Sequence, residues 1–121
     1  MDVSFYAALT AQTGTIKVYP VLAPENATAP FIVYQRTGTQ RDIAVDGTTG
    51  LVIASYRIDV YSTSLKAAQN IADDIVRGLS QHATAPINYI RIDNEFDASD
   101  LSGDPKLFRI IAEVDVHFSP D

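Results

Sequence analysis

Cysteine is absent from all 121 residues, which removes disulfides, thiolate metal sites and a cysteine nucleophile together. Clusters of basic residues are absent too: 15 acids stand against 9 bases, for a formal charge of −6. A protein that holds nucleic acid by displacing counterions needs the opposite sign, so specific DNA gripping is disfavoured. No stretch approaches the ~20 apolar residues of a membrane span. The first residues, MDVSFYAALTAQTG, carry an acid at position 2 and an apolar run too short and interrupted for a signal peptide, so the chain is expected to be soluble and not secreted. On that expectation the glycosylation sequon Asn26-Ala27-Thr28 is a chance match in a loop. Histidine is scarce, with only His82 and His117, and no serine sits in a Gly-x-Ser-x-Gly turn, so a hydrolase triad has no framework. Gly47-Thr48-Thr49-Gly50 lacks the spacing of a phosphate loop and precedes an apolar strand rather than a helix.

What is present is a globular composition, 46% apolar, at the length of a single domain spanning 1–121. The chain is organised around residues 51–80. LVIASYRIDVY alternates strictly: Ala54, Tyr56, Ile58 and Val60 fall on one face, and Ser55, Arg57, Asp59 and Tyr61 on the other. That is the period of a sheet with one covered side. Ser62, Thr63 and Ser64 can each cap a first helical turn. The helix that follows puts Leu65, Ala68, Ala72, Ile75, Val76 and Leu79 on one stripe and Lys66, Asn70, Asp73, Asp74 and Arg77 on the other.

The flanking segments extend the pattern. Residues 3–12 read as a first helix with Val3, Phe5 or Tyr6, and Leu9 on its stripe and Gly14 as its stop. Residues 16–19 form a brief edge strand closed by Pro20, and the prolines between 20 and 30 impose a loop. A strand over 31–37 leads into a polar arm, 38–50, with a turn signal at Asp46-Gly47, so strand, arm and strand make a hairpin with a long tip. A strand over 87–92 is followed by a turn region, 93–104, that holds five acids and no base. The last strand places Phe108, Ile110, Ala112, Val114, Val116 and Phe118 inward, and Arg109, Ile111, Glu113, Asp115 and His117 outward. The expected fold is α+β: a mostly antiparallel sheet of four to five strands, two helices on one face and a projecting hairpin arm.

Candidate sites are interaction surfaces rather than catalytic centres. The arm residues Gln40, Arg41, Asp42, Ile43, Val45 and Asp46 suit contact with a neighbouring subunit or a tube, because a long polar loop on a stiff hairpin implies a use. Asp93, Glu95, Asp97, Asp100 and Asp104 could in principle offer oxygens to Ca²⁺. Their spacing departs from the EF-hand, with no glycine at the sixth position from Asp93 and no glutamate at the twelfth, and a solvated loop reads better. A carboxylate pair for glycoside chemistry lacks an apolar cleft to sit in. Tyr61 and Tyr89 fall with the polar sets of their strands, either as interface aromatics or as contacts of a second face covered by the proline loop. No cofactor, no metal and no catalysis is expected.

Val18-Tyr19-Pro20, the loop ending Ala-Pro-Phe-Ile-Val-Tyr-Gln at 29–35, and Tyr-Arg-Ile-Asp-Val-Tyr-Ser at 56–62 leading into the helix over 64–76 together resemble the tail-completion (tail-terminator, or tail-to-head joining) proteins of long-tailed bacteriophages. The resemblance spans nearly the whole chain. It implies a virion structural protein that forms a hexameric ring at the head-proximal end of the tail tube, stops tube growth and docks onto a head-completion or neck protein. It also implies location in the virion tail, after assembly in the host cytoplasm. Partners on that reading are further copies of the chain, the tail tube protein and the neck, with no membrane and with DNA passing through the ring. The five acids of 93–104 could then line the lumen and repel phosphate, or serve solubility alone. Another neck or tail-tube component is the alternative, and a small ligand-binding domain a more distant one.

Overall fold

The computed structural model describes residues 2–44, 47–99 and 107–119. Val45, Asp46, Asp100 and Asp104, and with them the Asp46-Gly47 turn, lie outside the described residues. The elements run α1 (Asp2–Thr13), β1 (Lys17–Pro20), β2 (Phe31–Ala44), β3 (Gly47–Ser62), α2 (Leu65–Ser80), β4 (Ile87–Asp97) and β5 (Phe108–Phe118). They build an α+β fold with a five-stranded mixed sheet in the order β1-β2-β3-β5-β4. Only the short β1 is parallel to its neighbour, and the other pairings are antiparallel.

The alternation of β3 and β5 explains the layering. Their ladder pairs Val52 with Phe118 through Ser62 with Phe108 without a register shift, so each inward residue of one strand sits across from an inward residue of the other. Ala54, Tyr56, Ile58, Val60, Ile110, Ala112, Val114 and Val116 are all buried on that face. Both helices lie on it. From α2 come Ala68, Ala72, Ile75 and Leu79, and from α1 Phe5, Ala8 and Leu9, joined into one core with Ile32, Ile87 and Ile90. Alanines at 68 and 72 let α2 approach the sheet closely, while Ile75 and Leu79 contribute roughly 1.5 to 3 kcal/mol each by leaving water. Phe5 stacks on Tyr56 at 3.9 Å between ring centroids. Val3, expected on the buried stripe, is 84% exposed, because the α1 stripe runs through Phe5, Ala8, Leu9 and Thr13 instead.

Ser64 is the residue that caps α2: its Oγ accepts from the Ala67 N–H at 3.3 Å, while Ser62 Oγ accepts from the Ser64 N–H. Gly78 near the end of α2 has a packing reason, since a Cβ there would fall 1.8 Å from Gln12 Oε1 of α1. The weak helix former keeps the two helices in contact.

Two segments read as loops are strand. β2 continues past Thr37 to Ala44 and remains paired with β3 out to Ala44 opposite Gly47, so the segment read as a polar arm is ladder on both sides. Asp93, Glu95 and Asp97, read as part of a turn, belong to β4. Acids depress strand propensity only weakly against a continuous partner, and β5 supplies that partner as far as Asp97 opposite Ile110.

Candidate functional site

The sheet face away from the helices carries the candidate residues, and the pairing registers arrange them in rows. The first row is Phe31, Tyr61 and Arg109, and the second Val33, Asp59, Ile111 and Phe96. Gln35, Arg57, Glu113 and Asn94 follow, then Ser55, Asp115 and Arg91, and last Gln40, Ile53, His117 and Tyr89.

At the first two rows the loop over 21–29 stands beside the sheet and encloses an open groove of about 850 Å³. Its floor is an ion cluster. Asp59, 3% exposed, accepts from Arg109 Nε at 3.1 Å and also from Arg109 Nη2, and its other carboxylate oxygen lies 3.2 Å from Arg57 Nε. The Arg109 guanidinium in turn lies over the Tyr61 ring, 5.5 Å from its centroid, and Tyr61 stacks on Phe31 at 4.8 Å. Burial, the largest influence, pushes the Tyr61 hydroxyl pKa up. Tyr61 lines this groove together with residues of the proline loop. Val21 adopts φ 65°, a left-handed conformation unusual for a β-branched residue; its N–H donates to Tyr34 O at 2.8 Å, and both Val21 and Leu22 face solvent.

The middle of the face is a polar bridge. Asp115 accepts from Ser55 Oγ at 2.7 Å and from Arg91 Nη2 at 2.6 Å. Burial alone would raise its pKa, but the two donors outweigh it and hold the carboxyl below its ordinary value. Arg91 also lies 3.3 Å from Asp93, so this acid has a base beside it after all.

At the far end Tyr89 stacks on His117 at 4.1 Å and 15°, and is 49% exposed. A cavity of about 280 Å³ lies here, lined by Gln40, Arg41, Leu51, Ile53, Tyr89 and His117 among others. Three of the sequence candidates are thus brought together, the hairpin residues Gln40 and Arg41 with Tyr89, while Tyr61 is held at the opposite end of the sheet.

The acids do not form one patch. A register shift between Ile92 and Asn94 skips Asp93 and turns the strand, so that Glu95 and Asp97 stand opposite Ala112 and Ile110, which face the helices. Glu95 then shares a surface hollow with Asp73 of α2; burial first, and the Asp73 charge second, raise its pKa. Asp97 accepts from Ser99 Oγ at 2.6 Å and the Ser99 N–H at 2.8 Å, which lowers its pKa. Among the described residues no three acids or histidines gather closely enough to hold a metal. No described helix is long and apolar enough to cross a membrane. Sequence reasoning missed the Asp59 cluster: Arg57, Asp59 and Arg109 were all on the outward set, but only the β3 to β5 register brings them into contact.

An α+β sheet layered by two helices is the class of fold, and it is shared with a chain of the structure described as "Virion of native gene transfer agent (GTA) particle". That match has a TM-score of 0.67 at 13% identity over 94% of this chain and 86% of the other, a likeness of fold. No curated protein matches in sequence. The family model described as "Tail completion protein gp17" matches residues 5–119, and the chain belongs to that family of structural phage tail proteins.

Proposed function

We propose that the protein closes into a homo-hexameric ring at the head-proximal end of the tail tube, ends tube growth there and joins the tail to the head-completion or neck protein. Its role on this reading is structural, with no reaction catalysed. The observation that carries it is family membership over residues 5–119, combined with a subunit whose two sheet edges are unlike. A closed ring needs such a pair, since each copy must meet its neighbour through two different surfaces. The hairpin residues Gln40, Arg41, Asp42 and Ile43, with Val45 and Asp46 beyond them, are the proposed contacts with a neighbour or the tube, and exposed Tyr89 extends that surface. Asp100 and Asp104, following β4 in the chain, are proposed to face the DNA conduit, where carboxylates repel phosphate. Assembly takes place in the host cytoplasm, and the finished ring resides in the virion.

The test is the mass of the purified protein across a concentration series, with negative-stain imaging of large species and a capping assay on isolated tubes. A six-fold ring with a central hole, or a monomer that caps tubes, supports the reading. A protein that neither self-assembles nor binds tubes overturns it.

A further inference from the structure

Both sides of the sheet end in open strand edges of matching length. β1 pairs with β2 only from Phe31 to Tyr34, so the outer side of residues 35–44 has no strand beside it among the described residues. On the opposite side β4, 11 residues long, pairs only with β5. Residues 36–41 and 93–97 are all exposed. Long free edges invite pairing with another chain.

Each edge strand also carries a one-residue bulge near its middle. β2 skips Thr37 against β3, and β4 skips Asp93, as well as Asn88 near its start, against β5; the other shift of β2, between Arg41 and Ile43, passes one residue of β2 against three of β3 and so is not a bulge of the edge strand. β3 and β5 between them have no shift. A bulge turns every later side chain to the other face, so two bulged strands can form one continuous sheet only where their bulges coincide.

Direction completes the match. β2 and β5 run one way, β3 and β4 the other. Copies related by rotation about an axis roughly along the strands therefore present β4 of one antiparallel to β2 of the next.

We infer that residues 90–96 of one copy pair antiparallel with residues 35–41 of the next, with Ile90 opposite Arg41 and Phe96 opposite Gln35. This register uses the exposed run 36–41 and stops where β1 begins. It brings the bulges at Thr37 and Asp93 within one residue of each other, and it keeps faces consistent on both sides of them from Gln35 to Arg41. Thr39 and Arg41, which share a face with buried Ala54 and Val52, meet Ile92 and Ile90. Gln40 meets Arg91 on the outer face, and Gln35 meets exposed Phe96.

It also sets Arg36 opposite Glu95. The β2 side carries Lys17, Arg36 and Arg41, with Asp2 already 3.7 Å from Arg36. The β4 side carries Asp93, Glu95 and Asp97, with Asp73 beside Glu95, and one base, Arg91, already engaged by Asp93 and Asp115. An arginine arriving there relieves the repulsion between Glu95 and Asp73 that an isolated copy retains. A shift of two residues toward β1 would keep the faces aligned, but it sets Glu95 against Tyr34, whose carbonyl already accepts from the Val21 N–H and whose edge β1 occupies.

This inference rests on the ring reading, and its test separates the two. The chain has no cysteine, so Gln35→Cys and Phe96→Cys supply a unique pair. Oxidising assembled protein should give a covalent ladder up to the closed ring from the double variant. A mixture of the two single variants should give dimers only, and Thr39→Cys with Phe96→Cys, several residues out of register, should give little. In parallel, Arg36→Glu or Glu95→Arg should weaken association about ten-fold, and the combination should restore it. Rings that form without the Gln35 to Phe96 bond, that bond equally at Thr39, or that show no charge-swap rescue overturn this interface and leave the ring standing. Protein that forms no ring and caps no tube overturns both.

Discussion

Replacing Asp59 by Asn tests whether the outer face is held by its ion cluster. Asp59 is the single acid between two guanidiniums. Its side chain is 5% exposed, whereas Arg57 is 39% and Arg109 29% exposed. Asn keeps the shape and removes the charge, leaving both arginines partly desolvated with no anion between them. Removing one partner of a fully buried pair costs about 3 to 5 kcal/mol. Here each arginine can turn its head toward water in the open groove, so the cost falls to about 2 kcal/mol. For a domain of this size that is a drop in Tm of about 6 to 8 °C. Urea unfolding of both proteins at neutral pH measures it, and an unchanged m-value would show that the loss lies in the native state. Arg109→Gln should lose more than Arg57→Gln, because Arg109 donates through two nitrogens to one carboxylate oxygen. The cycle of Asp59→Asn with Arg109→Gln should return a coupling of about 1 kcal/mol or more. A loss below about 0.5 kcal/mol for Asp59→Asn, or full additivity in the cycle, would refute the claim that these groups stabilise each other.

Three further outcomes follow from the same geometry. Tyr56→Phe deletes a hydroxyl that donates to Asp2 Oδ1 at 2.6 Å, and should cost about 1 to 1.5 kcal/mol while leaving the ring stacked on Phe5; amide exchange at the start of α1 should quicken. Ser55→Ala removes a donor that holds the Asp115 pKa down. A lowered carboxylate pKa stabilises the fold above the unfolded value and is lost as pH falls, so the deficit of about 1 kcal/mol at pH 7 should shrink in unfolding curves taken near pH 3. Glu95→Gln acts with the opposite sign. A raised carboxylate pKa means that ionisation costs the folded state, so the variant should gain about 0.5 kcal/mol at pH 7, discounted for exposure, and nothing below the carboxylate range, as thermal melts at the two pH values would show.

How far the sequence reached depends on how local each cause is. The inward sets of β3 and β5 were legible residue by residue, because period two depends on nothing but the strand itself. The α2 stripe was legible for the same reason, whereas which of Ser62, Thr63 and Ser64 caps the helix was left open and is Ser64. The stripe of α1 was only half legible, since Val3 has the right character but lies at the wrong angle from Phe5 and Leu9. What lay beyond reach was register. Nothing in Asp-Asn-Glu-Phe-Asp read alone announces a strand; its order comes from β5, and its change of face comes from a bulge at Asp93 that only pairing reveals. The same holds for Asp59, which reads as one more polar residue on a wet face and is in fact among the buried ones.

The division between smooth and irregular strands bears on which partner an open edge of this sheet can accept. β3 and β5, in the middle of the sheet, pair with each other without a shift, while β2 and β4, which carry the open edges, hold one-residue bulges at Thr37 and at Asn88 and Asp93. Bulges and charges on an edge make pairing with an arbitrary strand poor, because faces fall out of phase and like charges meet. They do not forbid pairing with an edge that has a bulge at the matching position and the complementary charge. Two identical β4 edges centred on Phe96 would bring Glu95 and Asp97 of each copy together, and two identical β2 edges centred between Gly38 and Thr39 would bring Arg36 and Arg41 together. The unlike combination sets Arg36 against Glu95 instead. A surface with that property disfavours isologous dimers and permits head-to-tail addition, and a head-to-tail contact that turns by a fixed angle closes into a ring. The acidic end of β4, which costs the isolated subunit a little stability at Glu95, is on this argument the residue set that prevents the wrong partnership.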